Sequence, residues 1–464
     1  MGAIRIRETR LKNFAVRKVN LIYAKNGISY LILILFWVFG LNIVLGQEAV
    51  LFPDSGGYLL KSTTDGWGNF SFMGNSTRAW PTMLVYSLVD THNARIILQT
   101  IIYLFALTFL ILTTSLVAKG WRNLLGLVLV ICICLSDNFF QWNLAILSES
   151  TTLSFIVLGL SFFRLSFYSK KSNLLFFVIS QIFLLLASLV RPQLLVVVFV
   201  CFVIWLNRYF TLKNLLRTPL LMLLIFIYVI ILNSNISNFW ATGGAGKTNK
   251  DAISFYFLTS TDTRNDRLTN RLFEAIPSQA PRCLREENNR ASFIEPPGPY
   301  AFQGNQYLNC PTGVNWANNE FLGFYIRFLV LNPIHVVETA IHYFPGSLYD
   351  SKYANPNTVV PYYIESLWTV RGTSFIQGLK LIPWILIPIL SLMFRLKNRS
   401  RFKRKEFFDV NFALYVGFFC SQLITHLLMN AESTRISYTS MLPAMILAIL
   451  YVVSNDKERL EKYT

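Results

Sequence analysis

Charge is what this sequence has least of. Only 14% of its 464 residues are charged, and acids are the scarcer sign, 24 Asp and Glu against 42 Lys and Arg. Soluble domains carry about a quarter of their residues as charges. Here 53% are hydrophobic, 39 Phe among them, and they gather into blocks instead of spreading at core spacing. A soluble globular chain is thereby excluded, and a polytopic membrane protein remains. Histidine is also rare: His92, His335, His342 and His426 lie far apart, each reading as a satisfied polar residue, and no Cys-x-x-Cys or Cys/His cluster points to zinc. There is no internal repeat and no low-complexity tract. A cleavable leader is not expected. The first apolar block, 28–47, is longer than a signal core and ends in Gly46-Gln47-Glu48-Ala49 without a clear small-x-small site, so it reads as a retained first helix.

What is there instead is a series of apolar blocks near the ~20 residues a helix needs to cross a bilayer. They fall at about 28–47, 95–118, 122–139, 144–163, 174–191, 193–207, 218–234, 374–395, 409–429 and 438–454. The expected fold is an all-α integral membrane protein of about ten transmembrane helices. The block 193–207 is short, and 80–90 is apolar enough to lie at the interface without crossing.

With a cytoplasmic N-terminus, 25 of the 42 basic residues but only 6 of the 24 acids fall on the inner side. That is the positive-inside pattern, and it puts both termini in the cytoplasm. The net +18 therefore reads as juxtamembrane clusters that attract anionic membrane lipids, not as a nucleic-acid footprint. Basic tails occupy 1–27 and 455–464; between them lie an N-terminal membrane module at 28–234, a large outer region at 235–373 and C-terminal helices at 374–454. The module holds a first outer loop at 48–94. Long loops usually carry function. The large outer region is polar and rich in Gly, Pro and Asn up to about Asn319, then reads as a helix pair from Phe321 to Tyr349, broken at Asn332-Pro333 and Pro345-Gly346.

Cysteine usage follows the same division. Cys132, Cys134, Cys201 and Cys420 sit in spans as small apolar groups. Cys283 and Cys310 share the outer region, where a disulfide closing the loop is expected, with two free thiols as the other reading. Ala241-Thr242-Gly243-Gly244-Ala245-Gly246-Lys247-Thr248 fits a permissive phosphate-loop pattern. However, it follows Trp240 at the outer end of a span with no strand before it, so nucleotide hydrolysis is excluded on context.

Chemistry must then come from polar residues at the outer boundary. Asp54, in Phe52-Pro53-Asp54-Ser55-Gly56-Gly57-Tyr58, lies just beyond the first span, where Ser-Gly-Gly lets the backbone turn sharply; a plain Asp turn is the alternative. Glu149, in Ser148-Glu149-Ser150-Thr151-Thr152, is read as an intramembrane carboxylate in the outer part of the fourth span, either functional or half of a structural ion pair. Arg191, in Val190-Arg191-Pro192-Gln193, marks the turn between two spans, with snorkelling as its bland reading. Glu432 and Arg435 occupy the last outer loop, where a surface salt bridge is equally plain. Arg78, in Thr77-Arg78-Ala79-Trp80-Pro81, could simply face headgroups.

The order of these features resembles the GT-C membrane glycosyltransferases, which include protein O-mannosyltransferases, aminoarabinose transferases and arabinofuranosyltransferases. The resemblance runs from Ile28 to Val453. It rests on Asp54-Ser55-x-x-Tyr58, Arg78-x-x-Pro81 leading toward Gln99, Ser148-Glu149-Ser150, Arg191-Pro192 and the final Glu432 and Arg435. It implies that Asp54 is the catalytic base, with Glu149 beside it, and that the Asn332-Pro333 helix pair belongs to acceptor recognition. It implies a polyprenyl-phosphate sugar as donor, bound by Tyr58, Arg78, Arg191, Gln193, Glu432 and Arg435, and a glycan, lipid or protein as acceptor. One departure stands out: family members often pair their acids, whereas Asp54 is followed by Ser55 and Gly56, so a divalent metal is possible but not indicated and no cofactor is expected. A bacterial inner membrane, with the site facing the periplasm, is the expected setting; sequons at Asn69 and Asn75 keep an endoplasmic-reticulum protein open. A transporter or flippase of lipid-linked glycans, or a polymerase or ligase of them, are the competing classes.

Overall fold

The computed structural model describes residues 27–51, Ser55, Tyr58, 80–117, 120–168, 172–209, 266–282, 311–339, 410–428 and 433–453. Asp54, Arg78, Cys283, Cys310, Glu432 and the spans expected at 218–234 and 374–395 lie outside them. The described residues are helical, with no named strand and one isolated parallel bridge, Val50 to Ala145.

Four helices are long and apolar enough to cross a membrane: α1 (Gly27–Val44), α3 (His92–Thr113), α5 (Glu149–Tyr168) and α6 (Asn173–Val190). Short apolar helices accompany them: α2 (Trp80–Tyr86), α4 (Trp121–Leu135) and α7 (Leu195–Tyr209). After α8 (Asp266–Glu274) and α9 (Leu322–Leu331) come α10 (Val410–Leu428) and α11 (Ser433–Val453). Of the ten expected spans, four are thus matched among the described residues by candidate membrane-crossing helices; α10 and α11, of 19 and 21 residues, lie where the last two were expected, and two more fall outside the described residues. At ~1.5 Å per residue α4 is only about 22 Å long, short of a ~30 Å hydrocarbon core.

Local signals place the ends. Thr91 caps α3 by accepting the Ala94 amide at 3.2 Å. Beyond α1 the chain turns at Gly46, whose φ of +83° suits a residue without a Cβ. Pro192 ends α6, since a helix rarely continues through the residue before proline.

The most extensive packing joins α5 to α6, then α3 to α5. Small residues make it possible. A Cβ on Gly159 of α5 would stand 2.6 Å from Leu184 Cγ and 3.3 Å from the Leu184 backbone nitrogen, so the two helices approach there only because a hydrogen replaces the side chain. Ser180 donates to the Gly159 carbonyl at 2.7 Å across the same contact. The helix α10 packs on α7 and α11, and α11 in turn on α4 and α5, which closes the bundle around one continuous apolar core.

One bound changes, and one segment gains a setting. The fourth span was expected from residue 144, yet α5 begins at Glu149 and residues 144–148 run non-helically before it. The 80–90 segment was expected at the interface. There α2 packs on α5 and α6 without being long enough to cross, and Thr82 and Tyr86 are fully buried, Tyr86 being held from inside by Gln99. In the expected outer region, the described residues of the anticipated helix pair are helical and the break at Asn332 is present, while the part read as polar loop holds helices at Asp266–Glu274 and Pro311–Trp316. The second break, at Pro345-Gly346, lies outside the described residues.

Candidate functional site

The five residues before α5 form a hub. Leu144, Ala145, Ile146, Leu147 and Ser148 are all buried, yet their backbone makes no regular helix. Buried peptide groups must find partners, and in apolar surroundings they find them in protein. Here those partners come from distant parts of the chain. The Val50 amide donates to the Leu144 carbonyl at 2.8 Å, and the Ile146 amide donates back to Val50 at 3.1 Å. Gln99 Nε2 donates to the Asn143 and Ala145 carbonyls at 2.6 and 2.9 Å. The Tyr86 hydroxyl lies 2.5 Å from the Leu147 carbonyl and 2.7 Å from Gln99 Oε1, its single proton shared between two acceptors. Burial, above all, pushes the Tyr86 phenol well above its ordinary pKa, so it remains a donor. Ser150 donates to Asn143 Oδ1 at 2.5 Å.

Two residues of the first-loop motif dock on this hub. Ser55 donates to the Ile146 carbonyl at 2.8 Å, and the Tyr58 hydroxyl donates to Ser148 Oγ at 3.0 Å. Both are buried. Asp54 itself lies outside the described residues, but its motif neighbours on the C-terminal side are held against 146–148.

The charged pair completes the arrangement. Arg191 Nη2 donates to Glu149 Oε1 at 2.6 Å, with the glutamate side chain 0% and the arginine side chain 13% exposed. Ser148 Oγ is a longer partner of the same nitrogen, at 3.4 Å. Glu149 opens α5 and Arg191 closes α6, so each charge sits at the helix end whose dipole favours it, negative at an N-terminus and positive at a C-terminus. The sequence reading placed Glu149 within a span. It opens the candidate span α5, is buried by protein, and makes the ion pair of one of its two readings. Arg191 is likewise turned toward Glu149 and not toward headgroups. Among the described residues, Arg191 Nε and Gln193 Nε2 are buried donors without a hydrogen-bond partner.

The structure therefore brings Tyr58, Glu149, Arg191 and Gln193 to one end of the bundle, together with the exit of α1 and the N-terminal turn of α3. Arg435 falls in the first turn of α11. Sequence reading missed Tyr86, Arg95 and Asn143, and quoted Ser148 only as a neighbour of Glu149. Arg95 is fully buried, its Nε donating to the Tyr86 carbonyl at 3.1 Å. The signal that could have found them was the density of polar residues at 143–152 and at the start of an otherwise apolar helix. Among the described residues no three His, Cys, Asp or Glu side chains come together as a metal site would require. Compared with protein families, curated proteins and solved structures, the chain finds no match.

Proposed function

We propose that this chain is a membrane-embedded glycosyltransferase that moves a sugar from polyprenyl phosphate to a glycan, lipid or protein acceptor. We place the reaction on the outer face of a bacterial inner membrane, with both termini cytoplasmic. The observation that carries the reading is the docking of Ser55 and Tyr58, from the motif that begins with Asp54, onto the segment that presents Ser148, Glu149 and its partner Arg191. Three motifs that are far apart in sequence thus share one end of the bundle.

The residue types suit the reaction. Phosphate is already a good leaving group, so transfer needs one carboxylate to take the acceptor hydroxyl's proton and no second acid to expel an alkoxide. Asp54 takes that proton. The acceptor oxygen bonds to the anomeric carbon as the sugar–phosphate C–O bond breaks, its electron pair leaving with the phosphate, and a single displacement inverts the centre. Charge developing on the leaving phosphate calls for fixed donors. Arg191 and Gln193, whose Nε and Nε2 are not engaged among the described residues, suit that need, and Glu149 aims the guanidinium. Arg78, Glu432 and Arg435 belong to the same proposed surface.

A transporter or flippase of lipid-linked glycans is the competing class. Transporters concentrate broken helices and polar groups near mid-membrane. This hub instead gathers at helix ends, which favours an enzyme over a carrier; a polymerase or ligase would have no evident need for Asp54. The test is transfer by the purified full chain from radiolabelled polyprenyl-phosphate sugars. Asp54→Asn should abolish turnover while leaving folding and donor binding nearly intact, because the shape is kept and the base removed. Substantial turnover by a well-folded Asp54→Asn protein would refute the assignment.

A further inference from the structure

The segment 311–339 folds separately from the polar hub. A helical turn at Pro311–Trp316 continues through a π turn, Ala317–Phe321, into α9, and a 95° bend at Asn332 leads to a short helix, Pro333–Thr339. One face of α9 is already used. Phe321, Tyr325 and Phe328 pack with Leu272 of α8 and with Ile276 in a small core of their own. The ion pair Arg271–Glu338, at 2.6 Å, ties the short helix back to α8.

Among the described residues nothing covers the opposite face and the elbow. Val330 is 74% exposed, Leu331 71%, Ile334 67% and Val337 56%, and Ile326 continues the stripe one turn back along α9. Helices that are apolar on both faces are the mark of burial or of lipid. We propose that this elbow inserts shallowly into the hydrocarbon of the nearer leaflet, as a re-entrant anchor that holds the 266–339 unit to the bilayer.

Three observations select lipid as the occupant. First, the bend meets part of its backbone demand from within, as hydrocarbon requires. The Asn332 amide and its Nδ2 both donate to the Phe328 carbonyl at 2.9 Å, the His335 amide donates to the Asn332 carbonyl at 2.9 Å, and Pro333 has no N–H to leave unpaired. Second, the charges are set back from the tip. Glu338 is paired, and exposed Arg327 lies one turn above Leu331, about 6 Å along the axis. An apolar tip buried ~5–10 Å places that guanidinium among the anionic headgroup phosphates. Third, the apolar length falls short of crossing, since the helical turns before Phe321 carry Asn315, Asn318, Asn319 and Glu320. The arms, Asn319–Leu331 and Pro333–Thr339, are about 20 and 10 Å long and together reach about 22 Å through a 95° bend, against a core of ~30 Å.

The experiment uses the full chain in phosphatidylcholine–phosphatidylglycerol vesicles, with a nitroxide on Val330→Cys, and separately on Ile334→Cys, the signal of the unsubstituted labelled protein being subtracted. Collision with oxygen and with a water-soluble nickel chelate gives depth. Both labels should sit ~5–10 Å below the phosphates, while a label at exposed Asn270→Cys in α8 stays in water. Chelate access at both positions would overturn the proposal. Shielding of both from either reagent, which a second copy or another protein would cause, would also overturn it, as would a depth near the bilayer centre.

Discussion

Glu149→Gln is the perturbation whose size the structure determines most directly. It keeps the shape of a fully buried side chain and removes the negative charge that faces Arg191 at 2.6 Å. Two unit charges about 4 Å apart attract by roughly 4 kcal/mol at an effective dielectric near 20, and stripping one partner from a buried pair typically costs about 3–5 kcal/mol. Arg191 keeps 13% of its side chain in solvent, so the low end applies, about 3 kcal/mol. Arg191→Gln should cost at least as much, because it strands the carboxylate that has no exposure at all. The double variant Glu149→Gln/Arg191→Gln leaves two neutral amides and should recover most of one loss, giving a coupling of about 2 kcal/mol. Thermal unfolding of purified protein, followed by the fluorescence of its ten tryptophans, reads this. At ~2.1 cal/mol/K per residue, 464 residues turn 3 kcal/mol into a shift of about 3 °C, or more if helices persist on unfolding. Strict additivity, with a coupling below about 0.5 kcal/mol, would mean that the two groups do not meet and that the hub is wrongly built. The same variant in the transfer assay should lose less activity than Asp54→Asn. Equal severity would move the role of base to Glu149 or divide it between the two acids.

Other expectations follow from neighbouring contacts. Gln99→Leu removes both amide donors from the Asn143 and Ala145 carbonyls and an acceptor from Tyr86, and should destabilise by about 3 kcal/mol in the same unfolding measurement; a loss under about 1 kcal/mol would show that the 143–148 segment does not depend on it. Gly159→Leu forces apart α5 and α6 at their closest approach and should cost more than the same change at Gly323, whose added Cβ meets nothing within 4 Å. Cys283 and Cys310 should be joined in protein taken from its native membrane. The bridge would stabilise by roughly 3 kcal/mol in the chain-entropy description, and peptide mass spectrometry without reduction decides it, since free thiols at both positions rule it out.

The sequence alone determined what depends on composition and period. Blocks of Leu, Ile, Val and Phe can only be buried in lipid or in one another, so the all-helical membrane character and the positions of α1, α3 and α6 were legible to within a few residues. Asn332-Pro333 likewise announced its break, because proline cannot donate and its predecessor avoids helix. Tertiary structure alone decided where α5 begins. Nothing local in Leu144 to Ser148 forbids helix. That segment is held out of the helix by Val50, Ser55, Tyr86 and Gln99, partners between 46 and 96 residues earlier. The sequence reading expected Glu149 and Arg191 to converge with Asp54 and Arg435 at the outer ends of four spans, but the direct 2.6 Å ion pair between the first two was beyond it. Periodicity records which face of a helix is apolar; it carries no record of which distant polar group will satisfy a buried one, and that pairing is fixed only when the helix ends are brought together.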